Sequence, residues 1–260
     1  MMKTLTILMI AGFAITSCKK DIKQVVSQEE ISQATLAKIY DHGFGTTNVQ
    51  KIEEGYLVEG DIILTDEYLN SKPGGNLLRI ANTEQYHTTN LVTGLPRNIT
   101  ISSSGNVNAN VSAGIDAAIA RYNAENLQIT MSRVASNGNI NMRIVNGGSY
   151  IASAGFPSGG NPYYEVKFNK AYQNYSLGFV TTVIAHETGH CIGMRHTDYM
   201  DRSFSCGGSA SNEGASTVGA ILITGTPSGP DAGSWMLACL SSTTNRPFNA
   251  NDVTALNFLY

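Results

Sequence analysis

Eleven residues carry the chemistry of this chain: His186-Glu187-Thr188-Gly189-His190-Cys191-Ile192-Gly193-Met194-Arg195-His196, spaced HExxHxxGxxH. Three of the five histidines fall inside them. On a helix, residues four apart share one face with Cβ atoms roughly 5–6 Å apart. His186 and His190 can therefore grip one zinc ion, each imidazole nitrogen at about 2.0–2.1 Å. Glu187 follows the first ligand and can reach a zinc-bound water without being a ligand itself, which is the position of a general base. His196 joins only if the chain turns back, because six more helical residues would carry it roughly 9 Å along the axis. Gly193 is placed for that turn, since glycine ends helices at positive φ. Three histidines leave a fourth position open for water, which marks a catalytic rather than a structural zinc site. The bland alternative is a helix that merely carries histidines. Five fixed positions meet by chance in about one chain in ten thousand of this length, so that alternative is weak.

The elements that must hold these groups read as α/β. Leu177 to Ile192 forms the helix of the zinc motif. Asn110 to Asn126 is helical, with Val111, Ile115, Ala118, Ile119 and Tyr122 on one face. Strands are expected at Asn98–Ser102, Leu127–Ser132, Asn139–Val145 and Tyr163–Phe168. The last thirteen residues read as a closing helix. Asn249 and Asp252 form its N-cap pair, and Val253, Leu256 and Tyr260 lie at helical spacing. Nearer the N-terminus, Gln28 to Ile39 reads as a short helix. Gly55 to Thr65 reads as a strand interrupted at Gly60-Asp61, and Ser71-Lys72-Pro73-Gly74-Gly75 as a loop. After His196 the chain is Gly- and Ser-rich and irregular from Asp201 to Gly229, with Val218 to Ile223 its one apolar run.

The N-terminus sets the compartment. Met1-Met2-Lys3 is a basic start, and the apolar run Leu5 to Ile15 is too short to span a bilayer. Ile15-Thr16-Ser17-Cys18 closes it with small residues, as in a secretory signal. The four residues resemble a bacterial lipobox, with Ile15 where Leu is commoner. That resemblance implies a lipidated Cys18 tethering the chain to a membrane outside the cytoplasm, an anchor rather than a span. The alternative is a simple signal peptide cleaved nearby. Charged residues make up 14% of the chain and the net charge is −3, with no basic block, so nucleic-acid binding has no support.

His186 to His196 resemble the extended zinc signature of the metzincin metalloendopeptidases. Within that clan, this run followed by Thr197-Asp198 looks most like the bacterial dual-action HEIGH metallopeptidases, with Thr188 where HEIGH has Ile. Astacins fit less well. They carry Glu directly after the third His and a Tyr two residues after the Met, where this chain has Thr197 and Ala238. The resemblance implies a twisted, mostly parallel sheet with an antiparallel edge strand over two long helices. Below it come an irregular lower half with a Met-turn and a C-terminal helix. Ser234-Trp235-Met236-Leu237-Ala238 looks like that Met-turn, which makes Met236 the residue beneath the metal. It also implies that an edge strand holds the substrate backbone, and Tyr163, Tyr164, Glu165 and Val166 are the candidates. The alternative for them is an ordinary sheet strand. Val58-Glu59-Gly60-Asp61-Ile62 is similar to the FxGD segment of astacin propeptides, with Val58 for Phe. This implies that Asp61 can displace the water and hold the enzyme latent. The alternative is a plain Gly-Asp turn between two strands.

With Cys18 set aside, Cys191, Cys206 and Cys239 allow one disulfide in any of three pairings. Cys206 with Cys239 is preferred, because it would staple the loop after His196 to the segment beyond the Met-turn. Cys191 would then stay free.

The expected organisation is a lipoprotein signal at 1–18, a pro-region at 19–80 processed somewhere in 72–95, and a zinc protease domain at 81–260. The expected function is a monomeric, exported, membrane-anchored zinc endopeptidase acting on proteins or peptides and carrying one catalytic Zn2+, with structural Ca2+ left open. Two rivals stand beside it. One is a zinc hydrolase acting outside proteins, and the other is a surface adhesin with a vestigial site.

Overall fold

The computed structural model describes residues 31–71, 85–148, 150–213, 220–227 and 230–260. The signal segment, Cys18, the loop beyond Ser71 and residues 72–84 of the expected processing stretch lie outside the described residues.

Helix α1, Gln33–Asp41, is capped by Ser32, whose side chain accepts from the Thr35 amide. Strands β1 (Gln50–Ile52), β2 (Gly55–Val58) and β3 (Ile62–Leu64) form a small antiparallel sheet, followed by the short helix α2 (Asp66–Asn70). After β4 (Tyr86–His87) comes the main sheet, built from β5 (Arg97–Ser104), β6 (Ile129–Arg133), β7 (Ile140–Val145), β8 (Ala152–Ser153) and β9 (Glu165–Asn169). Its order is β6-β5-β7-β9-β8. All its pairings are parallel except β8 with β9. Helix α3 (Ala109–Asn123) lies between β5 and β6 in the chain, and helix α4 (Leu177–Ile192) follows β9. The lower part holds α5 (Ser203–Cys206), β10 (Ile221–Leu222, paired with β4) and the closing helix α6 (Ala250–Leu259).

Local chemistry explains these elements. In β7, Ile140, Met142 and Ile144 are buried while their neighbours are half-exposed, the period-two pattern of a strand with one covered face. In α3, Val111, Ile115, Ala118 and Tyr122 are buried along one stripe, and Asn108 caps the start. α4 is buried on every side from Phe179 to Ile192, so it runs through the centre of the fold. The capping box of α6 is formed by Asn249 and Asp252.

The hairpin β2–β3 joins two cores. Leu57 and Ile63 enter the main core with the sheet, α3 and α4. Val58, Ile62 and Leu64 enter a smaller one with Ile39, Phe44, Leu69 and Phe156.

One sequence expectation is corrected. Tyr163, Tyr164, Glu165 and Val166 do not form a free edge. β9 begins at Glu165 and lies inside the sheet, parallel to β7 on one side and antiparallel to β8 on the other. The Tyr163 amide already donates to the Cys191 carbonyl at 2.9 Å, and the Tyr164 carbonyl accepts from Asn141. The antiparallel edge is Ala152–Ser153, two residues that are too few to leave a periodic signal in the sequence.

Candidate metal centre

Three imidazoles converge because α4 and its ending place them. His186 and His190 sit one turn apart on α4, which stops at Gly193 with φ of 109°, a conformation costly for any residue with a Cβ. The chain reverses, and His196 returns to the pair. His190 Nε2 then lies 3.1 Å from His186 Nε2 and 3.2 Å from His196 Nε2. Each ring is fixed through its other nitrogen: Nδ1 of His186 faces the Trp235 carbonyl, Nδ1 of His190 the Met194 carbonyl and Nδ1 of His196 a Glu213 oxygen, all at 2.8 Å. A carbonyl only accepts, so Nδ1 carries the proton in His186 and His190, and their Nε2 lone pairs point inward. Lone pairs gathered this closely repel one another unless a cation lies between them, so the donor set fits a metal ion.

Two carboxylates complete the site. Asp61 Oδ2 stands 3.2 Å from His196 Nε2 and 3.7 Å from His186 Nε2, and one ligand atom each from Asp61 and the three histidines fits within 4.8 Å. Asp61 arrives on the three-residue turn Glu59-Gly60-Asp61 between β2 and β3, so the same residues serve as a turn and as a delivery arm. Glu59 has φ of 54°, a strained backbone for a residue with a Cβ, and its surroundings hold it there. Glu187 is buried beside the histidines. Asp61 Oδ1 and Glu187 Oε2 are both buried oxygens without a hydrogen-bond partner among the described residues, as expected beside a metal and its water. Their titrations part. Burial pushes the Glu187 carboxyl well above the usual range and the Asp61 charge adds to this. Burial would also raise Asp61, but His196 and His186 overcome it and hold Asp61 well below its ordinary value. The two carboxyls are thus shifted in opposite directions.

The segment 234–238 packs against α4 beside the histidines. The Leu237 amide donates to the Ser234 carbonyl, closing a turn, and Trp235 and Met236 are fully buried. Met236 packs under α4 at Gly189, where an added Cβ would lie 2.6 Å from its Sδ. The Thr197 amide donates to the Met236 carbonyl at 2.9 Å, and Asp198 accepts from the Ala238 amide at 2.9 Å. This segment is therefore tied to the residues just after His196. A disulfide joins Cys206 to Cys239, and Cys191 is free and buried.

Four polar residues around His196, namely Glu59, Arg195, Arg202 and Glu213, were not among the expected site residues. Arg195 is fully buried, with Nη2 at 2.7 Å from both Glu59 oxygens. Glu213 meets His196, receives Arg202 Nε at 3.1 Å and lies 3.8 Å from Arg195. Arg202 also donates to the Glu59 carbonyl. The one sequence-level hint is Arg195 itself, a charge directly before the ligand His196.

A family model described as dual-action HEIGH metallo-peptidase matches residues 57–260. No curated protein matches the sequence. A crystal structure of myroilysin is 21% identical over 42% of this chain and 48% of its own, with a TM-score of 0.32, so the chain spans about half the length of that match. A second myroilysin structure is 16% identical over 65% of this chain and 82% of its own, with a TM-score of 0.45. High choriolytic enzyme 1, a hatching-enzyme zinc protease from the medaka fish Oryzias latipes, is 13% identical over 62% of this chain and 88% of its own, with a TM-score of 0.39. Likeness this loose carries no weight for function.

Proposed function

We propose that this chain, which belongs to the dual-action HEIGH metallopeptidase family, is a zinc metalloendopeptidase held latent by its own residues 31–71. The observation that carries the reading is the convergence of three Nε2 atoms, neighbours 3.1 and 3.2 Å apart, each on a ring whose Nδ1 is anchored.

His186, His190 and His196 would hold the ion, and Met236 would form the floor beneath it. A zinc ion bound there supplies a Lewis acid that lowers the pKa of water and polarises a peptide carbonyl. Glu187 takes the proton of the attacking water on its partnerless oxygen and delivers it to the leaving amine. Asp61 occupies the place where water and substrate must enter, so the full chain is silent until the turn 59–61 is withdrawn. Processing in 72–95 would permit that, and Cys18 would keep the enzyme at a membrane outside the cytoplasm. A vestigial adhesin would have no reason to keep three anchored rings and a buried, partnerless glutamate. A peptide-library digest separates the peptidase from a hydrolase acting outside proteins.

The test is digestion of casein by the purified chain, with zinc measured per chain. Glu187→Ala should keep its zinc and lose about a hundred-fold or more in rate. Asp61→Ala should raise the cleavage seen with the unprocessed chain. A Glu187→Ala protein that digests casein like its parent sinks the mechanism.

A further inference from the structure

Residues 31–71 hold together as a unit. Ile39, Phe44, Val58, Ile62, Leu64 and Leu69 share a small buried core, to which the rest of the chain lends only Phe156 among the described residues. The β1–β2 and β2–β3 ladders lie wholly within the unit. So do the hydrogen bonds from Lys38 to the Asn70 side chain at 2.6 Å and from the Phe44 amide to the Ile39 carbonyl at 3.2 Å.

The unit meets the rest of the chain through several separate joints. Glu54, Glu59 and Asp61 fall within eight residues of sequence, and each has its own partners. Glu54 pairs with Lys167, whose side chain is 8% exposed, and stands 3.4 Å from Arg143. Glu59 meets Arg195 at 2.7 Å, and its carbonyl accepts from Arg202. Asp61 reaches His196 and His186 at 3.2 and 3.7 Å. Leu57 and Ile63 insert into the main core, and the Phe44 ring stacks on Phe156 with centroids 5.5 Å apart. One parallel bridge joins Ile62 to Ala154. The apolar insertions give the joint affinity, and the charge pairs fix its register.

The charged, aromatic and bridging partners named here all lie at residue 143 or later, so a cut in 72–84 severs none of these joints. The cut makes the contact bimolecular, and the complex persists at chain concentrations above its dissociation constant. Resting on the peptidase reading above, we infer that residues 85–260 carry a docking surface for residues 31–71 that outlasts the link between them. The severed segment stays in place as a non-covalent inhibitor. Cutting the link does not switch the enzyme on, and loss of the segment does.

The experiment places a recognition site for a site-specific cysteine protease in residues 72–84 of the full chain. The cut protein is followed by size-exclusion chromatography and by casein digestion. Co-elution is read in the Glu187→Ala background, where the segment is safe from digestion. The two pieces should co-elute at micromolar chain concentrations, and the cut parent should stay as silent as the uncut chain. Activity per chain should rise only once dilution parts the pieces, and the uncut chain should show no such rise. Glu54→Ala leaves Glu59 and Asp61 in place but takes a buried partner from Lys167, so its segment should be released about tenfold faster or more. Separation as soon as the link is cut overturns the proposal, as does casein digestion by pieces that still co-elute. Release from Glu54→Ala at the parental rate overturns the part given to that pair. Pieces that part on dilution and digest nothing overturn the peptidase reading and leave the docking surface standing.

Discussion

Replacing Glu213 by alanine should loosen the metal without touching any ligand. The Glu213 side chain is 1% exposed, accepts from His196 Nδ1 at 2.8 Å and faces Arg202 Nε at 3.1 Å. It fixes the tautomer and the tilt of the one ligand that no helix holds, since His196 lies beyond the end of α4. Loss of such an outer partner costs about 10- to 100-fold in metal affinity, or roughly 1.4–2.7 kcal/mol. Folding should suffer as well. Removing one partner of a fully buried ion pair costs about 3–5 kcal/mol. Arg202 is 23% exposed, and Arg195 keeps Glu59, so the expected loss lies at or below the low end of that range. Glu213→Gln keeps an acceptor for Nδ1 and should lose less than about tenfold in affinity. The two effects separate if zinc affinity is read by competition with a chromogenic chelator and stability is read in excess chelator. If Glu213→Ala binds zinc within about twofold of the parent, outer-shell positioning of His196 is refuted.

Burial pushes the Asp252 carboxyl up to about 6 from its ordinary 3.8, against hydrogen bonds from its neighbours that favour the ionised form. A carboxyl with a raised folded pKa stabilises the fold below pH 3.8, and that contribution is lost as pH rises through about 6. The shift corresponds to roughly 3 kcal/mol. The stability of Asp252→Asn relative to the parent should therefore climb between pH 4 and 7 in urea titrations, and a flat difference would contradict this. Reducing the Cys206–Cys239 bridge opens a loop spanning 33 residues. In urea this should cost roughly 3–4 kcal/mol by the loop-entropy argument, and a loss below about 1 kcal/mol would show that the lower half is held by other contacts. Gly189→Ala sets a methyl 2.6 Å from Met236 Sδ. The overpacking should cost about 1–3 kcal/mol and weaken zinc binding, measured by the same chelator competition.

What was legible in the sequence is what depends on near neighbours. The ligand spacing, the glycine that ends α4 and the capping pair of α6 each act within a few residues, and α4 runs between its expected ends, Leu177 and Ile192. The mostly parallel sheet was implied by the family resemblance that the zinc motif carries. Its edge did not, because β8 is two residues long, while the stronger pattern of Val166 and Phe168 belongs to a strand covered on both faces. The network around His196 was also hidden. Glu59 and Arg195 are 136 residues apart, and Glu213 follows His196 across an irregular loop, so no periodicity links them. Asp61 was visible as a turn and as a resemblance. That a single turn sets Asp61 against the histidines and Glu59 against Arg195 is a property of the fold.

Zinc-edge X-ray absorption on the purified full chain tests the three-histidine site with Asp61 as its fourth ligand most directly. Three imidazole nitrogens at about 2.0–2.1 Å and a carboxylate oxygen at about 2.0–2.2 Å are expected. A sulfur scatterer at about 2.3 Å, or fewer than three imidazoles, would contradict it.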